Sequence, residues 1–321
     1  MKKILKSIKQ LMVLFSCSVY DFVRFVKYSS IFNQYSSEQK LASRIAMATH
    51  GIEKGLTMPK MRLDFGKDAI VNLIGMCRVY ISKSYDDSNE LFLHAFSVLN
   101  EYLELHKTSG LEPTCLKEIE SILKSRTSIK ENSQLKYTKE TYFKHNNEDF
   151  KLFSYSRHSV RNFSEKKLDL GIINKSINMA MNTPSSCNRQ VSRVHVVQDI
   201  KVKQEILKLQ QGNRGFGYLA DKIIIVTAHT EAYASGRERN SAYVDGGMFG
   251  MNLLYSLHYN KVGCCVLNCY FTPRNECRLR KIVGIHKSEV PIMIILVGDV
   301  NQEFSVAYSV RQSNKSITSV H

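Results

Sequence analysis

Arg157 and Arg161 stand four residues apart, with His158 and Ser159 between them, just ahead of an apolar-periodic stretch. Two guanidinium forks with a hydroxyl between them suit a phosphate dianion, which accepts paired and single charge-assisted hydrogen bonds. Further on, Thr183-Pro184-Ser185-Ser186-Cys187-Asn188-Arg189-Gln190 reads as a polar loop between a helix and a strand. Its amide side chains both donate and accept, which suits a flat heterocycle with carbonyl and N–H edges. Arg311, in Ser309-Val310-Arg311-Gln312, is a third polar position near the C-terminus. The patch His50-Gly51-Ile52-Glu53-Lys54-Gly55-Leu56 places His50 and Glu53 three apart, on one face of a helix. Three readings of that patch stand: a helix C-terminus capped by Gly55, an acid/base pair facing a substrate, or two metal ligands, for which a third ligand is missing.

Other chemistries lack their residues. Gly212-Asn213-Arg214-Gly215-Phe216-Gly217 follows a helical pattern and precedes a strand, the reverse of a dinucleotide fingerprint, and no Walker A sequence is present. Cys264, Cys265, Cys269 and Cys277 contain no paired CxxC knuckle, so no metal site is expected. The eight cysteines are scattered through apolar surroundings, as free thiols in a reducing compartment are, and a cytoplasmic location is expected.

The elements that hold these residues follow from periodicity. Residues 1–28 read as a basic amphipathic helix: Ile4, Ile8, Leu11, Phe15, Phe22 and Val26 recur at three- and four-residue steps, with Lys2, Lys3, Lys6 and Lys9 left for a polar face. Such a helix either lies on an anionic membrane surface, at the inner face of the membrane, or packs on protein. Residues 29–150 read as a helical extension, ending in a polar linker from Lys124 to Phe150. Residues 151–321 interleave helices and strands and form an α+β domain, with strands expected near Val194–Val197, Lys222–Val226, Cys264–Leu267 and Pro291–Val297.

Charge follows the same division. The chain of 321 residues carries a formal +16. Residues 1–28 hold 6 basic and 1 acidic residue, 29–150 hold 16 of each, and 151–321 hold 23 and 12. An excess split between two ends, without a zinc knuckle or an aromatic-basic motif, argues against nucleic acid as the partner.

In this order, the clusters resemble the nitroreductase family of FMN-dependent oxidoreductases over residues 152–315. The resemblance includes Asp245-Gly246-Gly247-Met248-Phe249-Gly250-Met251-Asn252, Lys261 to Asn268, and Val290 to Gly298. The N-terminal half resembles the extension of a nitroreductase-like branch associated with polysaccharide biosynthesis. The resemblance implies an α+β fold with a mixed sheet flanked by helices, and a homodimer with FMN at the interface. It implies that Arg157, His158, Ser159, Arg161 and Arg311 hold the FMN phosphate and ribityl chain. Pro184, Ser185, Ser186, Asn188 and Gln190 would line the flavin from the second subunit, and Asn268 and Cys269 would lie near its reactive edge. The implied activity is hydride transfer from NAD(P)H through FMN to an acceptor; the alternative is an inactive flavin- or ligand-binding scaffold at the membrane surface. The family's aromatic after the loop Gln is missing here, where Val191 and Ser192 stand. Asp245, His258 and Tyr243 are candidate proton relays or structural groups.

Overall fold

A computed structural model describes residues 2–125 and 133–321. The chain opens with α1 (Lys2–Tyr28), followed by α2 (Glu38–Leu56), α3 (Lys67–Ser82), α4 (Glu90–Thr108) and α5 (Leu116–Leu123). Short polar side chains start two of these helices: Ser37 accepts from the Lys40 N–H, and Asn89 accepts from the Leu91 N–H at 3.0 Å. The apolar stripes of α2 to α5 converge on one core that includes Leu41, Ile45, Leu73, Cys77, Phe96 and Ile119. Gly55 does not cap α2, which runs on to Leu56 and ends at Thr57. A Cβ on Gly55 would stand 2.1 Å from the Phe65 ring, so glycine is required there by a packed aromatic.

The stretch expected to be a linker is largely structured. Its residues 126–132 lie outside the described residues; beyond them come β1 (Gln134–Thr138), α6 (Lys139–Phe143) and α7 (Phe150–Ser156). Thr138 and Thr141 form a reciprocal capping box at α6, and Tyr142 is fully buried. Elements of five residues are too short to show a period, which is why the pattern reads as featureless.

The remainder comprises α8 (Leu170–Ala180), β2 (Ser192–Val197), α9 (Ile200–Leu209), β3 (Lys222–His229), α10 (Ser241–Tyr259), β4 (Gly263–Asn268), α11 (Pro273–Val283), β5 (Glu289–Gly298), β6 (Glu303–Ala307) and α12 (Asn314–Ile317). The larger sheet has the order β2-β3-β5-β4, and β1 pairs with β6. The α+β class is as expected. Within the larger sheet the three pairings are antiparallel. Residues 210–221 bring the chain back after α9, so that Ile223 at the start of β3 pairs with Val197 at the end of β2. Alternating helices and strands do not reveal such a return.

The chain divides into two compact units: residues 1–23 with 137–304, and residues 24–136 with 305–321. The second is the helical unit described above, joined by the C-terminal tail. In the first, α10 lies on the sheet through Phe249, Leu253 and Leu257, which pack with Ile224, Val226, Ile295 and Val297. Gly246 and Gly250, one turn apart on α10, allow this approach: a Cβ on either would meet Ile292 at 2.6 Å or Met293 at 2.3 Å.

Candidate flavin-binding site

The first group of expected site residues follows α7 as an extended segment fastened to the sheet. The Val160 N–H donates to the Cys264 carbonyl at 2.9 Å, and Phe163 bridges to Val300. The Phe163 ring lies over Gly298, where a Cβ would come within 2.7 Å of it. Arg161 lies between these anchors, and Arg157, His158 and Ser159 lie just before them, where the Tyr142 hydroxyl bonds the His158 backbone. Arg161 is buried at 6% exposure, with its guanidinium 5.7 Å from the Phe216 ring centroid. The Nη1 of Arg157 is buried and makes no hydrogen bond of ordinary geometry, while the guanidinium lies beside the buried Cys264 thiol. A buried guanidinium donor without such a bond costs free energy that an anion would offset. The donor set therefore fits a phosphate.

Behind this strip, Tyr142 donates its hydroxyl proton to the His158 carbonyl at 2.8 Å. His258 is fully buried among Tyr142, Phe143 and Phe153, and its Nε2 meets the Ser156 hydroxyl at 2.8 Å. Burial, with the Arg157 and His158 charges nearby, pulls the His258 pKa down to about 3. His258 is thus held neutral among packed aromatic rings.

The second group is the loop after α8. Three of its residues without the freedom of glycine, Cys187, Asn188 and Gln190, have φ of 51°, 55° and 50°. Each costs strain that surrounding contacts must offset. The Ser185 hydroxyl accepts the Gln190 N–H at 2.9 Å. Asp245, buried at 3% exposure in the first turns of α10, accepts the Ser186 N–H at 3.2 Å and its hydroxyl at 3.0 Å. The other Asp245 oxygen accepts from the Tyr233 hydroxyl at 2.8 Å. Arg189 turns away to the Ala232 carbonyl and Glu238, its guanidinium 5.1 Å from the Tyr233 ring. A cavity of about 650 Å³ opens beside the loop, lined by Met181, Pro184, Ser185, Gln190, Arg193 and Phe249, within the size range of small-molecule sites. Asp245 is the anchor of the loop, while Tyr243 is exposed.

Asn268 ends β4, where its carbonyl accepts from Gln210 and its side chain from the Tyr270 N–H. Burial pushes the Cys269 thiol up to about 12, so it stays neutral. Arg311 belongs to the other unit, where its guanidinium donates to the Ser309 and Val310 carbonyls. In that unit His50 and Glu53 do pair, at 3.0 Å, and the fully buried Glu53 also accepts from His94 at 3.0 Å and the Ser309 N–H at 2.7 Å. Burial raises the Glu53 pKa, but the bonds from His50, His94 and Ser309 outweigh it and hold the group at about 2.

A further cluster went unread in the sequence. Ligand atoms of His229, Glu231 and His286 lie within 4.8 Å of one another. Nearby, His195 contacts the buried Glu289 at 2.8 Å. The register that brings His229 opposite Glu289 is a tertiary fact with no sequence signal.

Residues 155–213 match the nitroreductase family. That span contains both groups, from Arg157 to Arg161 and from Pro184 to Gln190. No curated protein matches the chain. Among solved structures, it is similar to a nitroreductase family protein from Streptococcus pneumoniae, with a TM-score of 0.48 and 18% identity over 54% of this chain and 100% of that one. It is also similar to an FMN-dependent nitroreductase from Clostridium difficile, with a TM-score of 0.45 and 17% identity over 52% of this chain and 96% of that one.

Proposed function

We propose that the protein is an FMN-dependent oxidoreductase that takes hydride from NAD(P)H and passes it to an acceptor. The observation that carries this reading is the placing of two guanidinium groups, Arg157 with its buried Nη1 and the buried Arg161, on one segment fastened to the sheet. Arg157, Ser159 and Arg161 would hold the phosphate and ribityl chain, with His158 alongside. FMN supplies the hydride chemistry when bound; the protein binds, orients and tunes it.

The remaining residues have positioning tasks. Asp245 and Tyr233 hold Ser185, Ser186, Asn188 and Gln190 in a strained loop beside the cavity. This loop would line the flavin of a second copy of the chain. An exposed apolar strip on α10, formed by Val244, Met248 and Met251, supports a homodimer, because a partner would cover it. The neutral Cys269 thiol is no nucleophile, in keeping with chemistry carried by the flavin.

The test is anaerobic mixing of the FMN-loaded protein with NADH and with NADPH. Bleaching of the flavin absorbance by at least one of them is expected. Bound FMN that neither nicotinamide reduces would overturn the oxidoreductase reading and favour a flavin-binding scaffold.

A further inference from the structure

The first helix is turned the opposite way from an ordinary packed amphipathic helix. Its half-buried residues are Gln10, Val13, Cys17 and Asp21, a narrow stripe that is half polar and leaves the large apolar side chains out. This stripe faces the sheet-containing unit: Arg239 donates to Asp21 at 2.6 Å, and a Cβ on Gly236 would meet the Leu14 backbone at 2.7 Å. The apolar residues point elsewhere. Ile4, Leu11, Phe15 and Phe22 are 65%, 67%, 70% and 69% exposed. At 100° per residue, Ile4, Ile8, Leu11, Phe15, Phe22 and Val26 fall within an arc of about 60°. Leu5, Met12, Val19 and Val23, all exposed, widen the same face. So long an uncovered apolar face is not left to water without a reason.

Charge identifies what covers it. Lys9 and Lys27 are exposed and flank the apolar face, while the exposed Lys6 and Arg24 lie further round, toward the stripe that faces the sheet-containing unit. Among residues 1–28 the single acid, Asp21, is engaged by Arg239. A second copy of a chain of charge +16 would bring more positive charge to this face, whereas an anionic surface would neutralise it. No described helix is long and apolar enough to cross a membrane, so an attachment through α1 would be in-plane. We propose that α1 lies in the interface of an anionic phospholipid membrane, with its Ile4–Phe15–Phe22 face among the acyl chains and its basic flank at the headgroups. The buried apolar face supplies the adhesion and the lysines supply the preference for anionic lipid. This inference is independent of the flavin reading.

The test is flotation of the full chain with vesicles of phosphatidylglycerol and phosphatidylcholine in equal parts, against vesicles of phosphatidylcholine alone. Binding to the mixed vesicles is expected, weakened by salt and by Lys6→Gln with Lys9→Gln. The triple variant Leu11→Gln, Phe15→Gln and Phe22→Gln, altered only at exposed positions, should lose binding about tenfold or more. FMN content and thermal midpoint, read on the same samples, should not change. Absence of binding by the unaltered protein, or equal binding by the triple variant, would overturn the proposal. So would a triple variant that floats normally but changes from dimer to monomer in sedimentation, which would assign the face to a second copy.

Discussion

Asp245, on the long helix, holds Ser186 by two hydrogen bonds at one oxygen, from the backbone N–H at 3.2 Å and from the hydroxyl at 3.0 Å. Its other oxygen takes the Tyr233 hydroxyl. One buried carboxylate thus fixes a loop with three strained residues to a helix seated on the sheet. Replacing it with Ala leaves these donors without their acceptor, at a cost of about 1–3 kcal/mol. Asp245→Ala should lower the melting temperature and the FMN retained on purification; an unchanged flavin content would show that the loop does not depend on this anchor.

Arg157 and Arg161 differ from Asp245 in acting on the ligand itself. If they hold a phosphate, the protein should prefer FMN to riboflavin, which lacks one. Loss of a charge-assisted hydrogen bond costs about 1.5–3 kcal/mol, or roughly ten- to hundredfold in affinity. Arg157→Ala should weaken FMN binding by that factor and leave riboflavin binding almost unchanged. Titration of the flavin fluorescence with both ligands decides it: equal losses for the two would place Arg157 elsewhere.

How much of this was legible in the sequence varies with the distance over which contacts act. The spacing of Arg157 and Arg161 and the composition of the loop around Ser185 are local, and both stand out in the sequence. Helices α2 to α5 are legible because their apolar stripes are long. The anchors are not local. Val160 reaches Cys264, Ser186 reaches Asp245, and Glu53 reaches His94 and Ser309, across separations that periodicity does not address. Gly55 shows the same limit: its place near a helix end suggests a cap, while the distant Phe65 ring is what requires it.

His258 gives the sheet-containing unit a dependence on pH. Its folded pKa of about 3 lies below the ordinary 6.5, so the unfolded chain takes up the proton first as pH falls. Stability from this group is complete above pH 6.5 and is lost as the pH drops from there toward 3. Denaturant midpoints measured across this window should fall with pH, and less steeply in His258→Phe. An identical slope in the variant would locate the titration in another group.

Glu53 acts at lower pH in the helical unit. Held at about 2 against an ordinary 4.5, it contributes stability that is present above pH 4.5 and is lost between there and 2. Glu53→Gln offers His50, His94 and the Ser309 N–H only one neutral acceptor, and should destabilise the protein by about 1–3 kcal/mol near neutral pH. Thermal unfolding checks this, and a variant as stable as the parent would show that the cluster is not structural.

Gly298 sits under the Phe163 ring, with no room for a methyl group. Gly298→Ala must displace an aromatic that anchors the Arg157–Phe163 strip, at a cost of about 1–3 kcal/mol. It should also weaken FMN binding, although Gly298 has no side chain to offer a ligand. A variant with the parent's affinity for FMN would mean that the strip is held without Phe163.

The absorbance spectrum of the purified full chain, taken before and after anaerobic addition of NAD(P)H, tests the central claim most directly. The account predicts a yellow protein whose flavin, released by denaturation, is FMN in near-equal amount to the chain, and whose visible bands bleach with a nicotinamide donor. A colourless protein that takes up no FMN at micromolar concentration would contradict it.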